Sequence, residues 1–249
     1  MIYHLPYLRK ILFTLLLLNF SVTALCQITP FAIIKDSDGY TNIRSEKSKA
    51  VIDTLFRDQV FAISPGEDEK DKWISIDYPH YKPASTAFVR SSNSISGLIH
   101  ATRIQRLSDL PQWEKRVTDT ALLLRKGTSV VTIRIGKFLA DKHKITKSEG
   151  FVSKIDNEVP WGIDGYISEA VTEIKSITVD RNGAAFVFPA TAVKNMLNPT
   201  KLKDFFGIAE GDGGTLYLFM SNSDGAGSYE VVWTIKGKAV VNQFLYINF

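Results

Sequence analysis

The chain has 249 residues, with 30 Lys and Arg against 26 Asp and Glu and a formal net charge of +4. With Arg9 and Lys10 removed in the expected signal the balance narrows to +2, too even to argue for a nucleic-acid binder or an acidic membrane surface. Its single cysteine, Cys26, rules out an intrachain disulfide and a thiolate metal site, so stability must come from hydrophobic cores, for which 45% hydrophobic residues are ample material.

Residues 1–26 read as a secretory signal. Arg9 and Lys10 precede an apolar run from residue 11 to 25, and Ser21-Val22-Thr23-Ala24-Leu25-Cys26 supplies small residues near a cut. The run is also short for a bilayer span, which needs roughly 20 residues of helix. The expected destination is the periplasm or the extracellular space. Cleavage after Cys26 places Ala24 and Cys26 where the peptidase wants small side chains. Lipidation of Cys26 is the less favoured alternative, because Leu25 is bulky where lipoproteins carry Gly, Ala or Ser. Only in that case would the chain be held at a membrane. Cleavage leaves 223 residues with 28 basic and 26 acidic side chains.

The first expected domain covers residues 28–106. Strands are predicted over 31–35, 40–43, 51–56, 59–63, 72–77 and 98–100, short and separated by Gly, Pro, Ser and Asp clusters, as in a small barrel. A charged loop follows at 65–71, and the Ser- and Pro-rich segment 79–96 interrupts what would otherwise be a short link between strands. Within this domain the run Asp38-Gly39-Tyr40-Thr41-Asn42-Ile43-Arg44 joins a turn signal to a polar–apolar alternation.

That run resembles the opening strands of the bacterial SH3-like module, whose signature is Gly-Tyr/Leu-x-Asn-Val/Ile-Arg. Tyr40, Asn42 and Arg44 fit it, Trp73 stands where the family has an aromatic before a strand, and Gly97-Leu98-Ile99-His100 fits the final strand. Leu98 replaces the more usual aromatic, and the insertion after Tyr78 enlarges one loop. The resemblance spans about a third of the mature chain. It implies a small barrel that binds peptidoglycan or a protein or peptide ligand and performs no chemistry. Tyr40, Trp73, Tyr78 and Tyr81 are the aromatics expected to supply the contact area.

Residues 107–126 are expected to form a helical connector. Asp109-Leu110-Pro111 offers a cap and a first-turn proline, and a second helix or strand runs through Thr120-Ala121-Leu122-Leu123-Leu124. Leu107, Leu110, Trp113 and the three leucines are too apolar for a solvated linker, so the segment should pack on the second domain. That domain, 127–249, is expected to be a β-sandwich-like unit or half-barrel with one short covering helix over 190–197. Val131, Ile133 and Ile135 alternate with Thr132 and Arg134, and Asn182-Gly183 is the strongest hairpin dipeptide in the chain. The expected fold class is therefore mainly β: an SH3-like small barrel followed by a β-sandwich with one or two short helices.

The chemistry-bearing residues form no catalytic constellation and no cofactor motif. His80, His100 and His143 lack metal-ligand spacing. Ser221 is outside a Gly-x-Ser-x-Gly elbow. In the loop from Ser221 to Gly227, Asn222, Asp224 and the nearby Glu230 offer oxygens, but without the alternate spacing of a calcium loop. Trp161 and Tyr166 sit beside glycines in a loop-like stretch, where functional residues concentrate. Trp161, Asp164, Asn222 and Asp224 are thus the second domain's candidate ligand residues. The expected function is an exported non-enzymatic binding protein. The alternative is a hydrolase with a carboxylate site around Asp164 and Asp224, drawing on Asp156, Glu158 and Glu230 as further acids.

Overall fold

Runs of consecutive apolar residues mark the places where the protein is thickest. Strands β1 (Phe31–Ile34) and β4 (Val60–Ile63) are buried at every position and pair antiparallel. In the computed structural model, which describes residues 29–65, 72–80, 88–200, 205–222 and 227–247, their alternate side chains serve two different cores. Ala32, Ile34, Phe61 and Ile63 join Ile43, Leu55, Ile74, Ile76, Tyr78 and Ile99. Phe31, Ile33, Val60 and Ala62 face the next layer instead. A strand covered on both sides has no polar face to keep, so alternation disappears.

Both strands belong to a seven-stranded sheet. Its order is β3 (Val51–Phe56), β2 (Tyr40–Arg44), β7 (Ser94–His100), β5 (Trp73–Pro79), β4, β1 and β8 (Ile104–Arg106). Strands from opposite ends of this order share one core, so the sheet is curled about it. At Gly97 a Cβ would stand 2.5 Å from Ile43 Cγ2 and 3.2 Å from the Arg44 carbonyl oxygen. Only glycine lets β7 lie that near β2.

Two five-stranded sheets complete the layers. The middle one has the order β16 (Phe206–Glu210), β17 (Leu216–Asn222), β18 (Tyr229–Lys236), β19 (Ala239–Tyr246) and β6 (Val89–Ser91). The outer one has the order β15 (Ala184–Val187), β14 (Thr172–Arg181), β11 (Ser129–Lys137), β10 (Ala121–Lys126) and β9 (Glu114–Val117). Leu216, Leu218, Met220, Val231, Trp233 and Ile235 of the middle sheet meet Leu122, Leu124, Val131, Ile133, Ile177 and Val179 of the outer sheet. On its other face, Tyr217, Phe219, Val232, Phe244 and Tyr246 pack against the curled sheet. A separate hairpin, β12 (Ile145–Ser148) with β13 (Phe151–Ile155), covers a small core of Phe138, Val152, Ile155, Val171 and Leu197. The chain is mainly β, as its sequence implied.

Three expectations need correction. Residues 107–126 are not a helical connector: after a 3-10 turn at Leu107–Asp109 they form β9 and β10, which close one side of the outer sheet. Leu122 and Leu124 point into the core while Leu123 lies half-buried between them, and Trp113 is buried in the same core. The helix expected over 190–197 is a single 3-10 turn, Ala190–Ala192, because Asn195 and Asn198 take left-handed conformations that no helix accommodates.

Part of the segment 79–96, expected to enlarge a loop, is a strand. Its strand β6 leaves the curled sheet and pairs in parallel with β19, Val89 opposite Asn242 and Ser91 opposite Phe244. From β6, Arg90 donates to the Lys194 carbonyl at 3.1 Å and the Thr191 carbonyl at 3.5 Å, and lies 3.6 Å from the Glu158 carboxylate. A domain boundary at residue 106 therefore assigns one strand of the middle sheet to the wrong side. These contacts set the outcome of proteolysis. Arg106, Lys115, Arg116 and Arg125 all lie within β8, β9 and β10, so limited trypsin digestion of the folded protein is expected to spare them. Rapid release of two stable fragments by cuts at these sites would contradict the layered packing.

Candidate functional site

Period-two alternation decides which side chains of the curled sheet meet water. On β2, Ile43 enters the core while Tyr40, Asn42 and Arg44 face outward; on β5, Ile74, Ile76 and Tyr78 are buried while Trp73, Ser75 and Asp77 face outward. Strand register then sets Trp73 opposite His100 and Tyr40 opposite Phe56. Of these residues Tyr40, Asn42, Arg44, Trp73 and His100, with Asp36, Asp38 and Arg103 from neighbouring turns, line an open cleft of about 350 Å³.

Trp73 is 40% exposed yet held from two directions. The His100 ring meets it edge-on with centroids 5.2 Å apart, and the Arg44 guanidinium carbon lies 5.4 Å from the indole centroid. Each neighbour is itself anchored. Arg44 donates to the Lys49 carbonyl at 2.8 Å, and His100 Nδ1 lies 2.8 Å from Thr102 Oγ1. An exposed indole fixed in this way gives up little rotamer freedom when something stacks on it. At the other end of the cleft, Tyr40 (44% exposed) tilts against Phe56 (57% exposed) at 6.4 Å. Between the two aromatic ends the Thr54 hydroxyl donates to Asn42 Oδ1 at 3.1 Å. Asp36 is buried in an ion pair with Arg103 and accepts from the Asp38 N–H at 3.2 Å, so both signs of charge border the cleft.

The structure sorts the expected ligand residues into groups. Tyr40 and Trp73 come together in the cleft. Tyr78 does not: it is 1% exposed, and burial, followed by the nearby Asp53 carboxylate, raises its phenol pKa. Tyr81 and Asp224 lie outside the described residues. Trp161 is half-buried, packs edge-on against Tyr229 at 6.2 Å and bonds through its backbone to Asn195 and Leu197, which makes it a structural residue. Asn222 is 1% exposed and accepts from the Thr200 N–H and hydroxyl at 2.9 and 3.0 Å, so it braces a loop rather than a ligand. Asp164 is exposed in a turn.

The remaining acids are mostly engaged. Asp156 sits 2.7 Å from His143 Nδ1 and accepts from the Lys144 N–H at 2.9 Å, and these bonds, the one to His143 foremost, hold its carboxyl below the usual range. Glu158 pairs with Lys194 and Arg90. Glu230 is the exception, since burial pushes it up to about 7 against a single hydrogen bond from the Ser221 hydroxyl. Among the described residues no three His, Cys, Asp or Glu side chains are grouped to hold a metal ion.

Arg44 and His100 are additions to the expected set. Arg44 was legible, because residues two and four positions past Tyr40 on one strand must share its face. His100 is placed beside Trp73 only by the pairing of β5 with β7, which no local pattern announces. Comparison with known protein families, characterised proteins and solved structures finds no match for this chain.

Proposed function

We propose that this is an exported, non-enzymatic binding protein that holds a cell-wall glycan or peptide, or a partner protein, on the cleft between Tyr40 and Trp73. The observation that carries this reading is the exposed Trp73 ring clamped between His100 and Arg44 on a rigid sheet. A flat apolar face bordered by hydrogen-bonding groups of both charges suits a sugar ring or an extended peptide better than a purely apolar ligand. The SH3-like resemblance of the first module supports the same reading. So does the engagement or exposure of most of the carboxylates that a hydrolase would use.

The test uses the whole mature chain, because the first module buries one face of β1 and β4 against the middle sheet. Retention on purified cell wall is measured alongside capture of protein partners from the cell envelope. Trp73→Ala is expected to weaken whichever binding is observed by at least about tenfold, in line with the loss of an aromatic anchor. Asp164→Asn should leave it unchanged. Binding that survives both Trp73→Ala and Tyr40→Ala would overturn the assignment of the cleft.

A further inference from the structure

A partly buried carboxyl with one fully buried oxygen lies where the curled sheet meets the middle sheet. Glu230 stands on β18 beside Tyr246 of β19 and opposite Ser221 of β17. The Ser221 hydroxyl donates to its Oε1 at 2.6 Å, while Oε2 is buried without a hydrogen-bond partner among the described residues. Next to it, the Tyr246 hydroxyl crosses the seam and donates to Asp77 Oδ2 on β5 at 2.9 Å. Asp77 also accepts from Ser96 at 2.7 Å and Ser64 at 3.2 Å, and Ser64 leads on through Ser75 to Glu46. Among the described residues the ionisable groups linked to Glu230 are Tyr246, its cross-strand partner, and through the bonded chain Asp77 and Glu46. Among the described residues none of the cations that form ion pairs is paired with Glu230 or Asp77.

We propose that Glu230, Tyr246 and Asp77 form a proton-sensitive latch between the curled sheet and the middle sheet, closed while Glu230 keeps its proton. A neutral Glu230 adds no charge beside Tyr246, which then bridges the layers to Asp77. An ionised Glu230 would put a largely buried anion beside Tyr246, whose hydroxyl already bonds the Asp77 carboxylate, with no paired cation among the described residues, and opening the seam to water relieves it. The direction follows from burial, which raises the carboxyl from its ordinary 4.5 to about 7 in the folded protein. A carboxyl raised in this way favours the closed form fully below its solvated pKa. That preference is lost progressively as pH climbs to the folded value, so the latch weakens between about pH 4.5 and pH 7. The latch also adjoins the cleft: Asp77, Ser75 and Trp73 occupy alternate positions on one face of β5.

Hydrogen exchange read by mass spectrometry on the intact mature chain tests this, with rates corrected for intrinsic pH dependence on unstructured peptides. Opening of the segments containing β5 and β19 is expected to rise at least about tenfold from pH 5 to pH 8 in the wild type. Glu230→Gln, which keeps the shape and removes the charge, should flatten that rise. An equal rise in the variant, or none in the wild type, would overturn the latch. Should the variant fold poorly, carbon-13 titration of the Glu230 carboxyl in the wild type decides the matter. A midpoint near 7 supports the latch, and one below 5 removes it.

Discussion

Replacing Gly162 by alanine is expected to destabilise the protein by about 3–5 kcal/mol, the sum of a left-handed backbone and a steric clash. Gly162 has φ of +90°, and a Cβ there would lie 1.9 Å from the Leu197 carbonyl oxygen and 2.8 Å from its carbon. Neither chain can step aside. The Trp161 N–H donates to the Asn195 carbonyl at 2.9 Å, the Leu197 N–H to the Trp161 carbonyl at 2.8 Å, and the Asn198 side-chain amide to the Gly162 carbonyl at 2.9 Å. The obstruction is backbone, so no rotamer change relieves it. Gly127 provides the control: its φ is +58°, but a Cβ there meets nothing within 4 Å. Gly127→Ala should cost only about 1–2 kcal/mol, the conformational part alone. Denaturant unfolding of the two variants separates clash from backbone preference, and equal losses would show that the contact with Leu197 yields.

Trp233→Ala should cost a similar amount, about 3–5 kcal/mol, for a different reason. Trp233 is fully buried in the core between the middle and outer sheets and meets Phe188 edge-on at 6.0 Å. Its Nε1 donates to the Ala192 carbonyl at 2.8 Å, but Gln243 Nε2 donates to the same oxygen at 3.0 Å. Losing the indole therefore leaves that carbonyl still partnered, and the cavity dominates the cost. Trp233→Phe, which removes the donor but refills part of the space, should recover more than half of the loss. Equal destabilisation by Ala and Phe would put the hydrogen bond, and not the packing, in control.

The parts of the fold legible in the sequence are those fixed by short-range geometry. Val131, Ile133 and Ile135 alternate into the core as their period-two pattern requires. Asn182 and Gly183 both take positive φ in a two-residue turn that pairs Arg181 with Ala184. Leu122-Leu123-Leu124 shows where local reading fails: three consecutive leucines fit a helix or a strand equally, and only neighbouring strands decide. The site follows the same division. Tyr40 and Trp73 could be found from exposure-prone strand starts. Tyr78 could have been set aside from sequence, because positions 73 and 78 of one strand fall on opposite faces. His100 and the buried Glu230 depend on cross-strand register and on the stacking of layers, which the chain does not advertise locally.

The parallel strand β6 has a consequence for how the molecule is made. Its partner residues Val89 and Asn242 are separated by about 150 residues, the longest reach of any strand pairing among the described residues. On a ribosome adding about 5–20 residues per second, β6 would wait roughly 8–30 s for a partner strand. The curled sheet can begin to collapse early, since most of its pairings are nearer in sequence, but it cannot reach its final form before the last strand arrives. Non-local closure of this kind is slow, and it leaves an unpaired edge exposed in the meantime. Loss of β19 would therefore strand a segment some 150 residues upstream, so damage near the end of the chain would be felt in the first part to be synthesised.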